Sequence, residues 1–336
     1  MTGVQTCALP ILTEVKVEDM KDGTYHVSFY PTVQGTFKLY VKVNEEHICD
    51  SPFTMSVKPF HVKPALCFGE KGSGDGMFKN PLGVAVTDKD EIVVADCLNH
   101  RVQVFDSNGT FLRSFGRRGE NAGEFKGPYG IATDKGRKIF VADRYKRTVQ
   151  IFSGEGRHLG SFGGQGSLDS QLSDPWGLSL DSTGNVVVAD AGNKLIKIFT
   201  PDGRFVMKIG GQGSFSFPVH CVQCGEYFLV SDYKEHCIKV FNREGHFQYM
   251  FGKNGEWDGE FINPGYLSVT PSNHLFVCDR NNHRVEVFEL NGKFIGKFGT
   301  EGSKLGEFNQ PLSVALLSNG RIVVADQYNH RIQIFE

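Results

Sequence analysis

The chain has 336 residues, with 36 Lys and Arg against 38 Asp and Glu, for a net charge of −2. That balance excludes a strongly polybasic binder, and no apolar run approaches the roughly 18 residues a membrane-spanning helix needs. The length allows one large repeat domain and something small. Eight cysteines recur with no period, so they do not form a disulfide framework, and a reducing, cytoplasmic setting fits them.

The first eleven residues, MTGVQTCALPI, lack the basic start and long apolar core of a signal peptide and match nothing downstream. Residues 1–12 are therefore expected to be a non-native or disordered leader, with no weight on Cys7. From 13 to 58 the residues alternate as strands do. Tyr25, Val27 and Phe29 share one side, and Phe37, Leu39, Val41 and Val43 share another across a single strand from Thr36 to Val43. Short strands are expected at His47–Cys49 and up to Val57. The phrases DGTYHVSFYP, GTFKLYV and CDSPFTMSV resemble the second half of the filamin-type immunoglobulin-like domain. Four or five strands cannot cover both faces of such a sandwich, so a partial domain is expected. Residues 59–64 read as a linker.

From residue 65 one pattern recurs six times. Its markers are Asp96, Asp143, Asp190, Asp232, Asp279 and Asp326, spaced 47 residues apart except for 42 between Asp190 and Asp232. Each repeat holds four strand candidates, in the first Gly83–Thr87, Glu91–Ala95, Arg101–Phe105 and Thr110–Phe115. Turns such as DSNG join the last two. Four-stranded sheets at this period are blades of a β-propeller. The chain stops after a third strand, and an orphan fourth strand ending in Phe68-Gly69 precedes the first repeat. Phe68 and Phe335 are thus expected to meet where the two ends seal six blades. The fourth repeat departs from the plan: Gly210–Pro218 is four residues shorter than Gly116–Pro128, and Pro218 to Asp232 is one shorter than its equivalent.

The series Pro81-Leu82-Gly83, VVAD, Asn99-His100-Arg101 and a closing Phe-Gly resembles NHL repeats over 65–336. With the filamin-type module in front, the chain resembles the C-terminal half of tripartite-motif (TRIM-NHL) ubiquitin ligases. The fold this implies is all-β, a six-bladed propeller closed by an N-terminal strand, preceded by a partial immunoglobulin-like β-sandwich. The resemblance also implies a RING, B-box and coiled coil in the parent family. No clustered zinc pattern or heptads occur in this sequence, so ligase activity would reside outside it.

Residues that recur are read as structural first. Each marker aspartate ends a second strand at a sharp loop, where a carboxylate can accept backbone N–H groups. Departures from the repeat carry more information. Blade two writes Arg144-Tyr145-Lys146-Arg147 where others write Asn-His-Arg, and Arg117, Arg118 and Lys126 lie in the loop before it. With Arg101 these form a basic sector at one end of the ring. Tyr129 and Trp176 begin innermost strands at that end, Phe217 and Tyr266 fall nearby, and Tyr233, Arg280 and Tyr328 sit in the other loops. Basic groups around aromatic rings suit single-stranded RNA, and the resemblance admits RNA or protein at this face. Acidic residues in the blade-to-blade loops, among them Asp169, Asp174, Glu256, Asp258 and Glu301, weigh against a plain phosphate funnel. The expected function is recognition of a protein partner for a ligase, with single-stranded RNA as the alternative.

No catalysis, cofactor, metal, membrane or small-molecule substrate is expected. Cys221-Val222-Gln223-Cys224 supplies two of the four ligands of a structural zinc and lies along a strand, where positions three apart face opposite ways. Asp and His recur in equivalent copies, unlike the convergent, dissimilar polar groups of a catalytic site.

Overall fold

The computed structural model describes residues 4–5, 12–21, 24–31, 35–43, 46–48, 50–57 and 61–336. The chain divides into two compact units, Met1–His61 and Val62–Glu336.

In the first unit Leu12–Asp19 pairs antiparallel with Tyr25–Pro31, and Gly35–Leu39 with Phe53–Val57. Val4–Gln5, Lys42–Val43 and Glu46–His47 form a three-stranded ladder. Pairing therefore begins ahead of the expected boundary at residue 13. The single strand expected from Thr36 to Val43 is broken after Leu39, and its halves join different sheets. At the break the Ser51 hydroxyl accepts the Val41 N–H at 3.0 Å, which takes that backbone out of a ladder. Cys7 and Cys49 lie outside the described residues.

The second unit is a ring of six four-stranded antiparallel sheets. Blade one is Pro81–Val86, Ile92–Asp96, Arg101–Phe105 and Phe111–Phe115, running from the central channel outwards. Blade six takes its outermost strand from the other end of the unit: Pro64–Phe68 pairs with Arg331–Phe335, setting Ile332 opposite Phe68. Lys63 and Glu336 exchange two further backbone hydrogen bonds. The expected linker thus ends before Lys63, which is already part of the closure.

Phenylalanine holds the blades to one another. In five of the six blades the ring closing the outermost strand packs on the ring closing the third strand of the next blade, among them Phe115 on Phe152, Phe162 on Phe199, Phe251 on Phe288 and Phe298 on Phe335, with centroids 4.8–5.3 Å apart. Phe68 on Phe105, at 4.9 Å, is the fifth such pair and crosses the seam, while blade three ends in Ile209, which shares a core with Phe241 of blade four. Burying each such ring contributes about 1.5–3 kcal/mol. The glycine after the phenylalanine is required twice over. At Gly116 φ is +88°, and a Cβ would stand 2.4 Å from the Phe125 ring.

Each marker aspartate is fully buried. One oxygen of Asp96 accepts the Lys79 N–H, and the other accepts Asn99 Nδ2, Arg101 Nε and Gln103 Nε2. Asp326 repeats this with Asn309, Asn329, Arg331 and Gln333. The carboxylate therefore pins the entering loop to its own blade. The residue after each asparagine position (His100, Arg147, Lys194, His236, His283 and His330) is left-handed, with φ between 54° and 58°. Three of these imidazoles accept an N–H from the next blade: His236 from Asn263, His283 from Gln310 and His330 from Asn80 across the seam.

Candidate recognition face at the channel mouth

Two aromatic–arginine clusters form at one end of the channel. In the first, the Arg144 guanidinium lies 4.6 Å from the Trp176 ring, 5.0 Å from Tyr129 and 5.6 Å from Tyr145. Its Nη1 donates to the Tyr129 hydroxyl at 2.9 Å, while Nε and Nη2 grip both oxygens of Asp174. Trp176 Nε1 donates to the same carboxylate at 3.1 Å. The carboxylate and the rings fix the guanidinium plane. Burial pushes the Tyr129 phenol up, so it stays protonated as a hydrogen-bond partner.

In the second cluster Arg280 stands 6.0 Å from both the Tyr233 and Tyr328 rings. It donates to the Tyr233 hydroxyl at 3.0 Å and to Gln327 Oε1 at 3.2 Å. Gln327 in turn donates to Asn80 across the seam. The two clusters are continuous, because Trp176 packs on Phe217 at 5.4 Å and on Tyr233 at 6.3 Å. Beneath them Leu82, Cys97, Tyr129, Tyr266 and Leu312 make an apolar floor that Trp176 covers in part. The Cys97 thiol, pushed up to about 12 chiefly by burial, is unreactive there.

Of the residues singled out in the sequence, Tyr129, Arg144, Tyr145, Trp176, Tyr233, Arg280 and Tyr328 come together in this arc. The rest of the basic sector, Arg118 excepted, is paired with carboxylates or backbone carbonyls. Arg101 binds Asp96 and the carbonyls of Gly74 and Met77. Arg117 pairs with Glu124, and Lys126 with Glu120. Lys146 Nζ donates to the carbonyls of Asn121 and Glu124, and Arg147 Nε to that of Ser173. Arg118 is exposed.

Tyr266 is 2% exposed and stacks on His220 at 4.6 Å, so it is floor and not contact surface. His220 was not singled out in the sequence. It occupies the place of Gly83, Gly130 and Gly177. It bridges blades by accepting the Leu267 N–H and contacting Leu178 O, and burial lowers its pKa to about 4. Gln327 and Lys234, whose ammonium lies 5.3 Å from the Phe217 ring, were also missed, and Asp174 was read only as one of the acids opposing a phosphate chain. An acid two residues before an aromatic was the one available signal, at Asp174. Cys221 and Cys224 point into the cores of different blade pairs, and no group of metal-binding side chains occurs among the described residues.

A Filamin/ABP280 repeat model matches residues 5–54, and an NHL repeat model matches 78–105, 172–199, 261–288 and 308–335. Protein lin-41 of Caenorhabditis elegans is 35% identical over 106 residues, which are 30% of this chain and 9% of lin-41. E3 ubiquitin-protein ligase TRIM71 of Xenopus tropicalis is 40% identical over 105 residues, 30% of this chain and 13% of that protein. The matched segment is thus a small part of either relative. A structural genomics protein from Bacteroides thetaiotaomicron superposes with a TM-score of 0.67 at 16% identity, over 96% of this chain and 86% of that one, a likeness of fold alone. The chain carries a filamin-type repeat followed by a six-bladed NHL-repeat propeller, and the relatives it matches over the propeller are TRIM-NHL proteins.

Proposed function

We propose that the propeller is a non-catalytic recognition module that binds a protein partner through the aromatic arc at its channel mouth. Within a longer cytoplasmic protein of the TRIM-NHL kind it would bring that partner to a ubiquitin ligase, the activity named for TRIM71. The supporting observation is how the basic groups of this face are used. Arg101, Arg117, Lys126 and Arg144 already meet carboxylates, and Lys146 and Arg147 meet backbone carbonyls. These pairings lower the net positive charge that the face presents to a phosphate chain. What the arc offers is rigid ring area with guanidinium edges, the composition of protein-interface hot spots. The test is affinity capture with the full chain as bait, read by quantitative mass spectrometry. A set of proteins retained by the native chain and by Arg117→Ala, and lost with Trp176→Ala, supports the arc. Equal recovery on Trp176→Ala counts against it.

Single-stranded RNA is the second reading, favoured by Tyr145 and Tyr328, 55% and 47% exposed beside Arg144 and Arg280 and free to stack on bases. Fluorescence anisotropy with a randomised RNA pool separates the two. An enriched motif whose affinity survives physiological salt and falls with Tyr145→Ala would make RNA the ligand. Weak, salt-labile binding would end that reading.

A further inference from the structure

The shortened loop that enters blade four bears on a second surface, on the outer rim. In the neighbouring blades the entering loop reaches over the outermost strand. Asp169 pairs with Lys208 at 2.8 Å in blade three, and Asp258 with Lys297 at 2.7 Å in blade five. Lys208, Met250 and Lys297 hold one position of the repeat, opposite Lys197, Lys239 and Glu286 in their ladders. Blade four has neither half of this guard. Residues 210–217 carry no carboxylate, and the lysine position is Met250. Met250 is left 59% exposed and Phe247 54%, with Tyr227 of the same blade at 39%. From 245 to 252 there is no Asp, Glu, Lys or Arg.

The outermost strand of a blade presents a row of unpaired backbone groups. Sheets protect such edges with charged side chains, especially lysine, with proline or with bulges. Lys208 and Lys297 do this in blades three and five, and Pro64 begins the outermost strand of blade six. Leu112 and Leu159 are exposed in blades one and two, but Ser114 and Ser161 stand at the guard position there. Blade four alone among the six sets a bulky apolar side chain at that place.

We propose that Phe247–Phe251 is an interface at which two copies of this chain join edge to edge, as antiparallel strands about a two-fold axis through Tyr249. The sequence Phe-Gln-Tyr-Met-Phe reads nearly the same in both directions. In that register phenylalanine lies opposite phenylalanine and Gln248 opposite Met250 of the second copy. Glu244 in the adjoining turn falls beside Lys253 of the second copy, and no like charges oppose one another. The paired length is short, so the dimer is weak and concentration-dependent.

Sedimentation equilibrium of the full chain under reducing conditions tests this. A reversible twofold rise in mass with concentration is expected. Met250→Lys, which installs the residue of blades three and five, should abolish the rise at unchanged melting temperature, and Leu112→Lys on blade one should leave it intact. A chain that stays monomeric at every concentration overturns the proposal, as does a dimer that survives Met250→Lys. A monomer that retains displayed uncharged peptides only when Met250 is present would assign the edge to a partner's extended segment, and would equally overturn pairing between copies.

Discussion

Two kinds of buried acid in this propeller differ in how many donors they meet. Each marker aspartate, although burial still raises the pKa of Asp96 and Asp143 and brings that of Asp279 to about 6, is well supplied with N–H donors that offset part of that cost. Glu286 is not. Its equivalents Gln103, Gln150 and Gln333 donate Nε2 to a carbonyl of the entering loop and accept a glycine N–H with Oε1. A carboxylate cannot make the donor half of that pair, and Glu286 is fully buried beside Arg284 at 2.9 Å without hydrogen-bond geometry. Burial is the main cause that pushes its pKa up to about 8 from the ordinary 4.5, with Arg284 pulling the other way. The folded chain therefore keeps this proton after the unfolded chain has lost it. Stability from this position is full below the unfolded pKa and is lost as pH rises towards about 8. Glu286→Gln should stabilise the chain by on the order of 1–3 kcal/mol at the alkaline end and much less in acid. Denaturant melts across that range check this, and a variant no more stable than the native chain in alkali would refute it.

At the scale of elements, the ring depends on the phenylalanine pairs between blades and on one strand that returns from before the first repeat. Phe335 is 1% exposed and packs on Phe298 and Phe308, while Ile332 and Ile334 of its strand pair with Phe68 and Leu66. Phe335→Ala should cost about 3–5 kcal/mol, the usual loss when a buried ring leaves a cavity. Removing residues 61–69 should do more, because it uncovers the edge of Arg331–Phe335 and takes Phe68 from the Phe105 ring. The expected result is a broadened, non-cooperative melt. A sharp transition at the native temperature would mean that the other blades hold the ring without the seam. The Phe-Gly ending made this strand recognisable in the sequence, because ring and glycine interlock in three dimensions.

Across the whole molecule the recognition face draws on blades two, three, four, five and six, with Asn80 of blade one behind Gln327. Trp176 is its joint, touching Tyr129, Phe217, Tyr233 and the Arg144 guanidinium. Trp176→Ala should weaken partner binding at least about tenfold, the scale of a hot-spot aromatic. Its effect on the melt should be smaller than that of Phe335→Ala, since Trp176 is only half-buried. Parallel titration and calorimetry compare the two. A stability loss that matches or exceeds the binding loss would make Trp176 a packing residue.

The repeat period, the displaced closing strand and the aromatic residues of the arc were open to reading in the sequence, because repetition exposes strand order and breaks in repetition expose surface. Counting charges along loops could not reveal which bases remain available. Arg101 and Arg117 look like the other exposed bases in the one-dimensional chain, yet each is committed to a carboxylate that folding sets beside it. His220 and Tyr266 likewise resemble channel groups until the inner strands close on them. Local pattern determined the blades, their number and the seam. Contacts that only the folded ring sets up, from Arg101–Asp96 five positions apart to Asn80–His330 across the seam, decided which side chains are spent on the fold and which are left for a partner.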